Sequence, residues 1–149
     1  MDCLREKDSN NWVLLLRAHP AVSGLSMNSE LKAIDVTKYE DMADLLLIAD
    51  MLITDYSSSA GDYALTGKPI ILFQSDYDEF IKTDRTFYFD IDKSPYLVAK
   101  TQNELIEIIN NITEDKARAN CRAILDFYGT YETGNASINV SRLIVDWFN

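Results

Sequence analysis

Residues 49–73 read ADMLITDYSSSAGDYALTGKPIILF and carry the signals of a β-turn-α-β unit. Met51–Ile53 is a short, continuous apolar run, which is typical of a strand covered on both faces. The polar turn at residues 55–59 offers side-chain oxygens to the free N–H groups of a helix that begins near Ser58. A strand, a capped turn and a helix are therefore expected in succession.

The same stretch also contains the signals that end this helix and begin the next strand. Gly67 is expected to terminate the helix, and Pro69 prevents its continuation. The apolar run Ile70–Phe73 then predicts a second buried strand. The polar turn thus lies at the carboxyl end of a strand, where open parallel α/β sheets bind their ligands.

Strand and helix patterns alternate on both sides of this unit. Further strands are predicted at 12–16, 32–36 and 86–90, and helices at 41–49, 101–111, 113–127 and 136–148. This alternation predicts an α/β fold with a Rossmann-like, mostly parallel sheet and helices on both faces. We expect a single domain over residues 1–149, and residues 1–6 resemble the tail of a helix that begins earlier in a longer protein.

Composition and charge exclude several classes of function. The net charge of −10 argues against nucleic-acid binding, which needs a basic face, and against simple docking on an anionic membrane. The two cysteines, Cys3 and Cys121, match neither a metal site nor a redox motif and are expected as free thiols in a reducing cytosol. No apolar run approaches the roughly 18 residues of a membrane span.

The serine-rich turn is the first candidate for ligand binding. Asp55, Ser57, Ser58 and Ser59 can cradle a phosphate through hydroxyl and N–H groups at a helix start. A single such residue would suffice for capping alone, so three consecutive serines favour ligand contact. Asp62, one turn beyond Ser58, suits a ribose diol, whereas the simpler interpretation is a solvated surface carboxylate.

Cationic side chains provide the other candidates. Arg17 and His19, the only histidine, follow the first predicted strand and are placed for an anionic ligand, or else for ordinary strand-end hydrogen bonds. Arg85 is favoured for anion binding because its guanidinium fork matches phosphate oxygens. Lys68 and Lys82 are expected to be solvated.

Five segments in order carry a more specific signal. They are Arg17-x-His19-Pro20, Asp50-x-x-Ile53-Thr54-Asp55-Tyr56-Ser57-Ser58, Asp62-Tyr63, Lys68-Pro69-Ile70-Ile71 and Arg85-x-Phe87-Tyr88-Phe89-Asp90. This series resembles the carboxy-terminal domain of the CDP-glycerol glycerophosphotransferases, the teichoic-acid primases and polymerases. The acid-x-x-x-x-Gly-x-Pro pattern from Asp62 to Pro69 is similar to the donor-binding domain of GT-B transferases in general.

The resemblance implies a GT-B enzyme whose second, Rossmann-like half binds CDP-glycerol and transfers glycerol phosphate to an acceptor hydroxyl. Stabilisation of the leaving nucleotide by donors already in place is the expected mechanism. No cofactor is expected, and no residue is predicted to bind a metal. Together with the patterns above, the resemblance gives these candidate residues: His19 as catalytic group; Arg17, His19, Ser57, Ser58, Ser59 and Arg85 at the donor phosphates; and Asp55, Asp62, Gly134, Ala136 and Ser137 at the nucleotide.

The resemblance also implies partners and a location. The acceptor, a polyol phosphate or lipid-linked chain, is expected to bind an amino-terminal half outside this chain, at the cytoplasmic face of the membrane and without nucleic acid. Two other interpretations stay open from the residues alone. One is the donor half of a nucleotide-sugar GT-B glycosyltransferase, and the other is a non-catalytic, flavodoxin-like binding module.

Overall fold

The computed structural model describes residues 2–7, 11–19, 33–82 and 89–148. The strands are β1 (Leu14–Leu16), β2 (Ala33–Asp35), β3 (Leu52–Thr54), β4 (Ile70–Phe73) and β5 (Val98–Ala99). The α-helices are α1 (Asp2–Lys7), α2 (Met42–Ile48), α3 (Ser59–Tyr63), α4 (Tyr77–Phe80), α5 (Gln102–Asn111), α6 (Glu114–Phe127) and α7 (Ala136–Phe148). Two 3-10 turns lie at Ala64–Thr66 and Ile91–Lys93.

The strand pairs of the described residues are all parallel. β1 pairs with β2, and a second sheet has the order β3-β4-β5. The predicted α/β class with parallel strands is confirmed. Because parallel strands run in one direction, the carboxyl ends of β3, β4 and β5 meet at one edge, where the polar turn after β3 also lies.

The central strand β4 is buried on both of its faces. Ile70 and Leu72 pack into one apolar cluster with Tyr63 and Ile124, from α3 and α6. Ile71 points the opposite way into a cluster with residues of β5, α5 and α1. This division follows from the alternation of side chains along a strand, and it explains why the run 70–73 is apolar throughout.

Helix starts agree closely with the sequence predictions. The Asp41 carboxylate accepts the Ala43 N–H, and Thr101 forms a capping box with Glu104. Thr113 likewise accepts the N–H of the third residue of α6 through its hydroxyl. The last helix begins and ends at the predicted residues.

Strand bounds agree less well. The first strand begins at Leu14 rather than Trp12, because Leu14 is the first residue that pairs with β2. The second strand covers Ala33–Asp35 rather than 32–36, and β3 begins one residue late, at Leu52. Most of the strand predicted at 86–90 lies outside the described residues, and its last two, Phe89 and Asp90, are not in a strand.

Lys68 holds the unit 49–73 to helix α2. The single helix that was predicted to end at Gly67 consists of α3 and the 3-10 turn that follows it, and Gly67 ends that turn with φ 70°. The Lys68 ammonium then donates to the carbonyl of Leu47 at 3.2 Å and to that of Ala49 at 2.6 Å. The expectation of a solvated lysine is therefore wrong, because the free carbonyls at the end of α2 attract the cation.

We expect Lys68→Met to lower the free energy of unfolding by about 1 kcal/mol, since two hydrogen bonds to helix-end carbonyls are lost while the alkyl stem is kept. Urea denaturation followed by circular dichroism measures the change. The matched control is Lys93→Met, whose exposed ammonium pairs only with Asp90 among described residues. Equal midpoints for the two variants would contradict the capping role.

Two buried tyrosines make stability depend on alkaline pH. Burial raises the pKa of Tyr63 and of Tyr96, with the Tyr128 hydroxyl adding to the effect at Tyr96. The pKa of each tyrosine is higher in the folded chain than in the unfolded chain. The free energy of unfolding is therefore at its full value below the unfolded pKa of about 10, and it falls as the pH rises above that value. The melting temperature should therefore fall steeply above about pH 10, and less steeply in Tyr63→Phe. An identical decline in that variant would refute the assignment.

Candidate functional site

An open cleft lies beside the carboxyl ends of β1, β3 and β4. It is lined by Arg17, Ile53, Thr54, Asp55 and Phe73, and its volume is about 270 Å³. Arg17 directly follows β1, whereas Asp55 directly follows β3 and Phe73 ends β4. The predicted position of the ligand site, at the carboxyl edge of the parallel strands, thus coincides with a cleft that has a cation and a carboxylate in its wall.

Arg17 is the cation of this cleft. One of its N–H groups donates to the Tyr39 carbonyl at 2.6 Å, and the adjacent Ala18 N–H donates to the Thr37 hydroxyl at 3.1 Å. These bonds tie the segment after β1 to the segment after β2. A guanidinium has five N–H donors, so most of this fork is not used by the hydrogen bonds that Arg17 makes with described residues.

The turn after β3 is closed by hydrogen bonds between two of its serines. The Ser57 hydroxyl accepts the Ser59 N–H at 3.3 Å and lies 2.8 Å from the Ser59 hydroxyl. Ser58, directly before α3, makes no capping bond with its side chain. The helix thus begins at Ser59, and Ser58 keeps an exposed hydroxyl.

The Asp55 carboxylate does not cap the helix, which corrects the expectation for that residue. It accepts the N–H of its neighbour Tyr56 at 2.7 Å instead. The chain bends at Asp55 and Tyr56, where this hydrogen bond joins neighbouring residues. The Asp55 side chain stays exposed in the cleft wall.

Tyr56 and Gln74, which were not among the predicted site residues, connect this turn to the segment after β4. The Tyr56 hydroxyl donates to the Asp76 carboxylate at 2.7 Å, and its ring stacks on Phe80 with centroids 3.6 Å apart. Burial and the Asp76 carboxylate raise the pKa of Tyr56. The Gln74 side-chain amide donates to the Asp55 carbonyl at 3.3 Å. An aromatic residue inside a polar turn was the only sequence signal of this arrangement.

Asp62 lies on α3 with its side chain exposed. It is four residues beyond Ser58, one helical turn from the serine turn, and it is not among the residues that line the cleft. The neighbouring Gly61 lies against the ring of Tyr128 and the hydroxyl of Tyr96. Asp62 is therefore accessible to a ligand large enough to extend from the cleft along α3.

The remaining predicted residues lie apart from the cleft lining. His19 is exposed, two residues beyond Arg17. Gly134 has φ 76° and donates its N–H to the Glu132 carboxylate, and Ala136 and Ser137 begin α7 with exposed side chains. Arg85 lies outside the described residues. The structure thus brings Arg17 and Asp55 into one cleft and does not place Gly134, Ala136 or Ser137 in its wall.

In the described parts of the chain, no three side chains of the acidic, histidine or cysteine type come together as ligands of a metal ion. Within the same residues, no helix has both the length and the apolar character needed to cross a bilayer.

Comparisons with known proteins identify relatives of this chain. The family model described as CDP-glycerol:poly(glycerophosphate) glycerophosphotransferase matches residues 1–146. The teichoic acid poly(glycerol phosphate) polymerase of Bacillus spizizenii is 33% identical over 143 residues, which cover 94% of this chain and 36% of that protein. The teichoic acid poly(ribitol-phosphate) polymerase of the same species is 36% identical over 112 residues, which cover 72% of this chain and 18% of that protein.

A solved structure agrees with these relatives. A variant of the wall teichoic acid polymerase TagF, soaked with CDPG, matches with a TM-score of 0.74 and 31% identity, over 97% of this chain and 37% of that one. The match confirms the predicted fold, that of the second half of a GT-B transferase. This chain spans little more than a third of the first relative's length. A family match over nearly the whole chain nonetheless shows that it belongs to the CDP-glycerol:poly(glycerophosphate) glycerophosphotransferase family.

Proposed function

We propose that this chain is a single donor-binding domain, residues 1–149, of an enzyme that transfers glycerol phosphate from CDP-glycerol to an acceptor hydroxyl in teichoic acid synthesis. The observation that carries the proposal is the cleft at the strand ends, with Arg17 in its wall, in a chain of the glycerophosphotransferase family. Family membership also disfavours the non-catalytic module among the alternatives.

The phosphates of the donor would bind in the cleft at Arg17 and reach the serine turn that follows Asp55. Arg17 donates from its guanidinium fork, whose geometry matches phosphate oxygens. Ser57, Ser58 and Ser59 offer hydroxyls directly after the cleft residue Asp55. Arg85 is proposed as a second guanidinium at the same phosphates, on the basis of the sequence alone.

The nucleoside would meet the carboxylates, away from the phosphates. An aspartate next to a pyrophosphate is repelled by it, so Asp62, which lies outside the cleft lining, would contact a neutral part of the ligand that carries O–H donors. Asp55, in the cleft wall, is proposed as a further contact of the nucleotide. Asp62 suits the ribose hydroxyls, as acids do in dinucleotide sites. Gly134, Ala136 and Ser137, at the start of α7, are proposed contacts that need α7 to approach the donor.

The reaction joins the acceptor oxygen to the phosphorus that carries glycerol and breaks the bond from that phosphorus to the oxygen of CMP. The acceptor proton must leave, and negative charge grows on the departing CMP. Arg17 and the serine hydroxyls, already in place, would stabilise that charge without reorganisation. We propose His19, two residues from Arg17, as the catalytic group that exchanges a proton at the phosphates.

The acceptor and the cellular location belong to the same proposal. A polyol-phosphate or lipid-linked acceptor would bind an amino-terminal half, which the relatives' greater length accommodates. The enzyme would act at the cytoplasmic face of the membrane and contact the membrane through regions outside this chain. The names of the relatives, which make teichoic acid polymers, support this location.

Calorimetric titration of the 149-residue chain tests the proposal. We expect saturable binding of CDP-glycerol and CDP but not of UDP-N-acetylglucosamine, and weaker binding in His19→Ala and Asp62→Ala. Asp115→Ala, an exposed carboxylate on α6, is the charge-matched control for Asp62. Tighter binding of the uridine sugar would support a nucleotide-sugar glycosyltransferase instead, and the absence of cytidine-ligand binding would contradict the proposal. CDP-ribitol, added to the series, separates the two polyol donors.

A further inference from the structure

Gln74 is buried in a way that apolar packing does not explain. It directly follows β4, and its exposed fraction is 0%. Among the residues that the structure describes, it is the one polar or charged side chain in the buried class. An apolar side chain of similar volume would fill the same space, so stability alone does not favour an amide at this position.

The two ends of the Gln74 side-chain amide differ in their hydrogen bonding. The side-chain nitrogen, Nε2, donates to the Asp55 carbonyl at 3.3 Å. The other end, Oε1, is buried and has no hydrogen-bond partner in the described part of the chain. Reversing the amide would place Oε1 against the Asp55 carbonyl and leave the donor unpaired, so the observed orientation is the better one. An acceptor left unpaired in a native interior calls for an explanation beyond stability.

The backbone of Gln74 is held in place by hydrogen bonds of both its N–H and its carbonyl group. Its N–H donates to the Ala99 carbonyl at 2.8 Å, and its carbonyl accepts the Tyr77 N–H at 3.3 Å. The side chain therefore extends from the end of the central strand to the residue that begins the serine turn. Asp55, which it contacts, and Phe73, its neighbour in the chain, both line the cleft.

We propose that Gln74 is a positioning residue for the ligand of this cleft. Its amide fixes the Asp55 carbonyl and thereby holds the turn at residues 55–59 in the conformation that binds the donor phosphates. The inference rests on the proposed function for the identity of the ligand, but its structural part, the ordering of the turn by Gln74, does not. A turn ordered in advance does not have to be ordered by the ligand, which strengthens binding.

The test compares Gln74→Met, which keeps the volume and removes the amide, with Gln102→Met, the same change at an exposed position on α5. The first measurement is amide hydrogen exchange in the free protein. We expect exchange at Tyr56 and Ser59, whose N–H groups are bonded within the turn, to be at least tenfold faster in Gln74→Met. Ala43, bonded to Asp41 at the remote start of α2, should be unchanged.

The second measurement is the affinity for CDP-glycerol together with the melting temperature. We expect Gln74→Met to bind about tenfold more weakly while its melting temperature stays equal or rises, because the unpaired acceptor is gone. A merely structural residue would lower the melting temperature and leave the affinity of the folded protein unchanged. Gln74→Asn, whose shorter amide does not reach Asp55, should reproduce the faster exchange if the methionine variant does not fold.

The outcomes separate this inference from the proposed function. If the wild-type chain does not bind CDP-glycerol, the proposed function fails, and exchange at Tyr56 and Ser59 alone decides on Gln74. Unchanged exchange in the variants overturns the inference, whether or not the ligand binds. Faster exchange with an affinity within twofold of wild type overturns the claim that the turn positions the ligand.

Discussion

Arg17→Ala should weaken the binding of CDP-glycerol by roughly 30- to 100-fold, or about 2–3 kcal/mol. Arg17 is the cation in the wall of the cleft, and a pyrophosphate carries charge that must be neutralised there. The chain as a whole has a net charge of −10, which repels such a ligand until a local cation offsets it. Isothermal calorimetry at two salt concentrations measures both the affinity and its electrostatic part.

Two variants control this prediction. Arg122→Ala makes the same change of charge at an exposed position of α6 and should leave the affinity within about twofold of wild type. Arg17→Lys keeps the charge but loses the fork and should recover only part of the affinity. If Arg17→Ala and Arg122→Ala bind CDP-glycerol equally well, the phosphates do not bind at this cleft.

Tyr63→Ala should lower the free energy of unfolding by about 3–5 kcal/mol, the range for removing a fully buried aromatic side chain. Tyr63 has an exposed fraction of 0% and packs against β4 and α6. Its hydroxyl donates to the Ala49 carbonyl at 2.9 Å, so the ring also ties α3 to the end of α2. The cavity would lie directly beneath the helix that follows the serine turn.

Urea unfolding followed by fluorescence measures the loss. Tyr131→Ala is the matched control, since Tyr131 is 93% exposed and its removal should change stability by less than about 0.5 kcal/mol. Tyr63→Phe, which loses only the hydroxyl, should cost about 1 kcal/mol, because the Ala49 carbonyl keeps its bond from Lys68. A loss in Tyr63→Ala no larger than in Tyr63→Phe would show that the ring does not support the core.

The parts of the fold that were predicted well depend on neighbours in the sequence. Asp41, Thr101 and Thr113 mark helix starts because a cap bonds to residues two or three positions further on. Gly67 ends the 3-10 turn that continues α3, because glycine has no Cβ and adopts the left-handed region easily. Such signals are complete within a few residues, so the sequence alone suffices to read them.

Contacts between distant residues were not predictable in this way. β5 consists of only Val98 and Ala99, and its existence depends on pairing with β4. Lys68 appeared to be a solvated lysine because the helix end that it caps lies some twenty residues earlier in the chain. Gln74 is polar and follows a predicted strand, so its neighbours in the sequence do not indicate that it is fully buried. In each case the residues that make contact are far apart in the sequence and come together only in the folded chain.

In the candidate site, too, local features were predictable from the sequence and contacts between distant residues were not. Arg17 and Asp55 were predicted separately, from strand ends 38 residues apart in number, and parallel strands bring both into one cleft. Tyr56 and Gln74 hold the turn through partners about twenty residues away, and the only sequence signal was an aromatic residue inside a polar turn. The roles of His19, Asp62 and the start of α7 remain predictions that ligand binding must test.

Chemical-shift mapping of the ¹⁵N-labelled chain with CDP-glycerol tests the central claim most directly, because it reports where the donor binds. The account predicts that the largest saturable shifts occur at the amides of Arg17, Thr54, Asp55 and Phe73, and along the turn at 56–59. Shifts confined to α5 and α6, or an absence of shifts at saturating ligand, would contradict it.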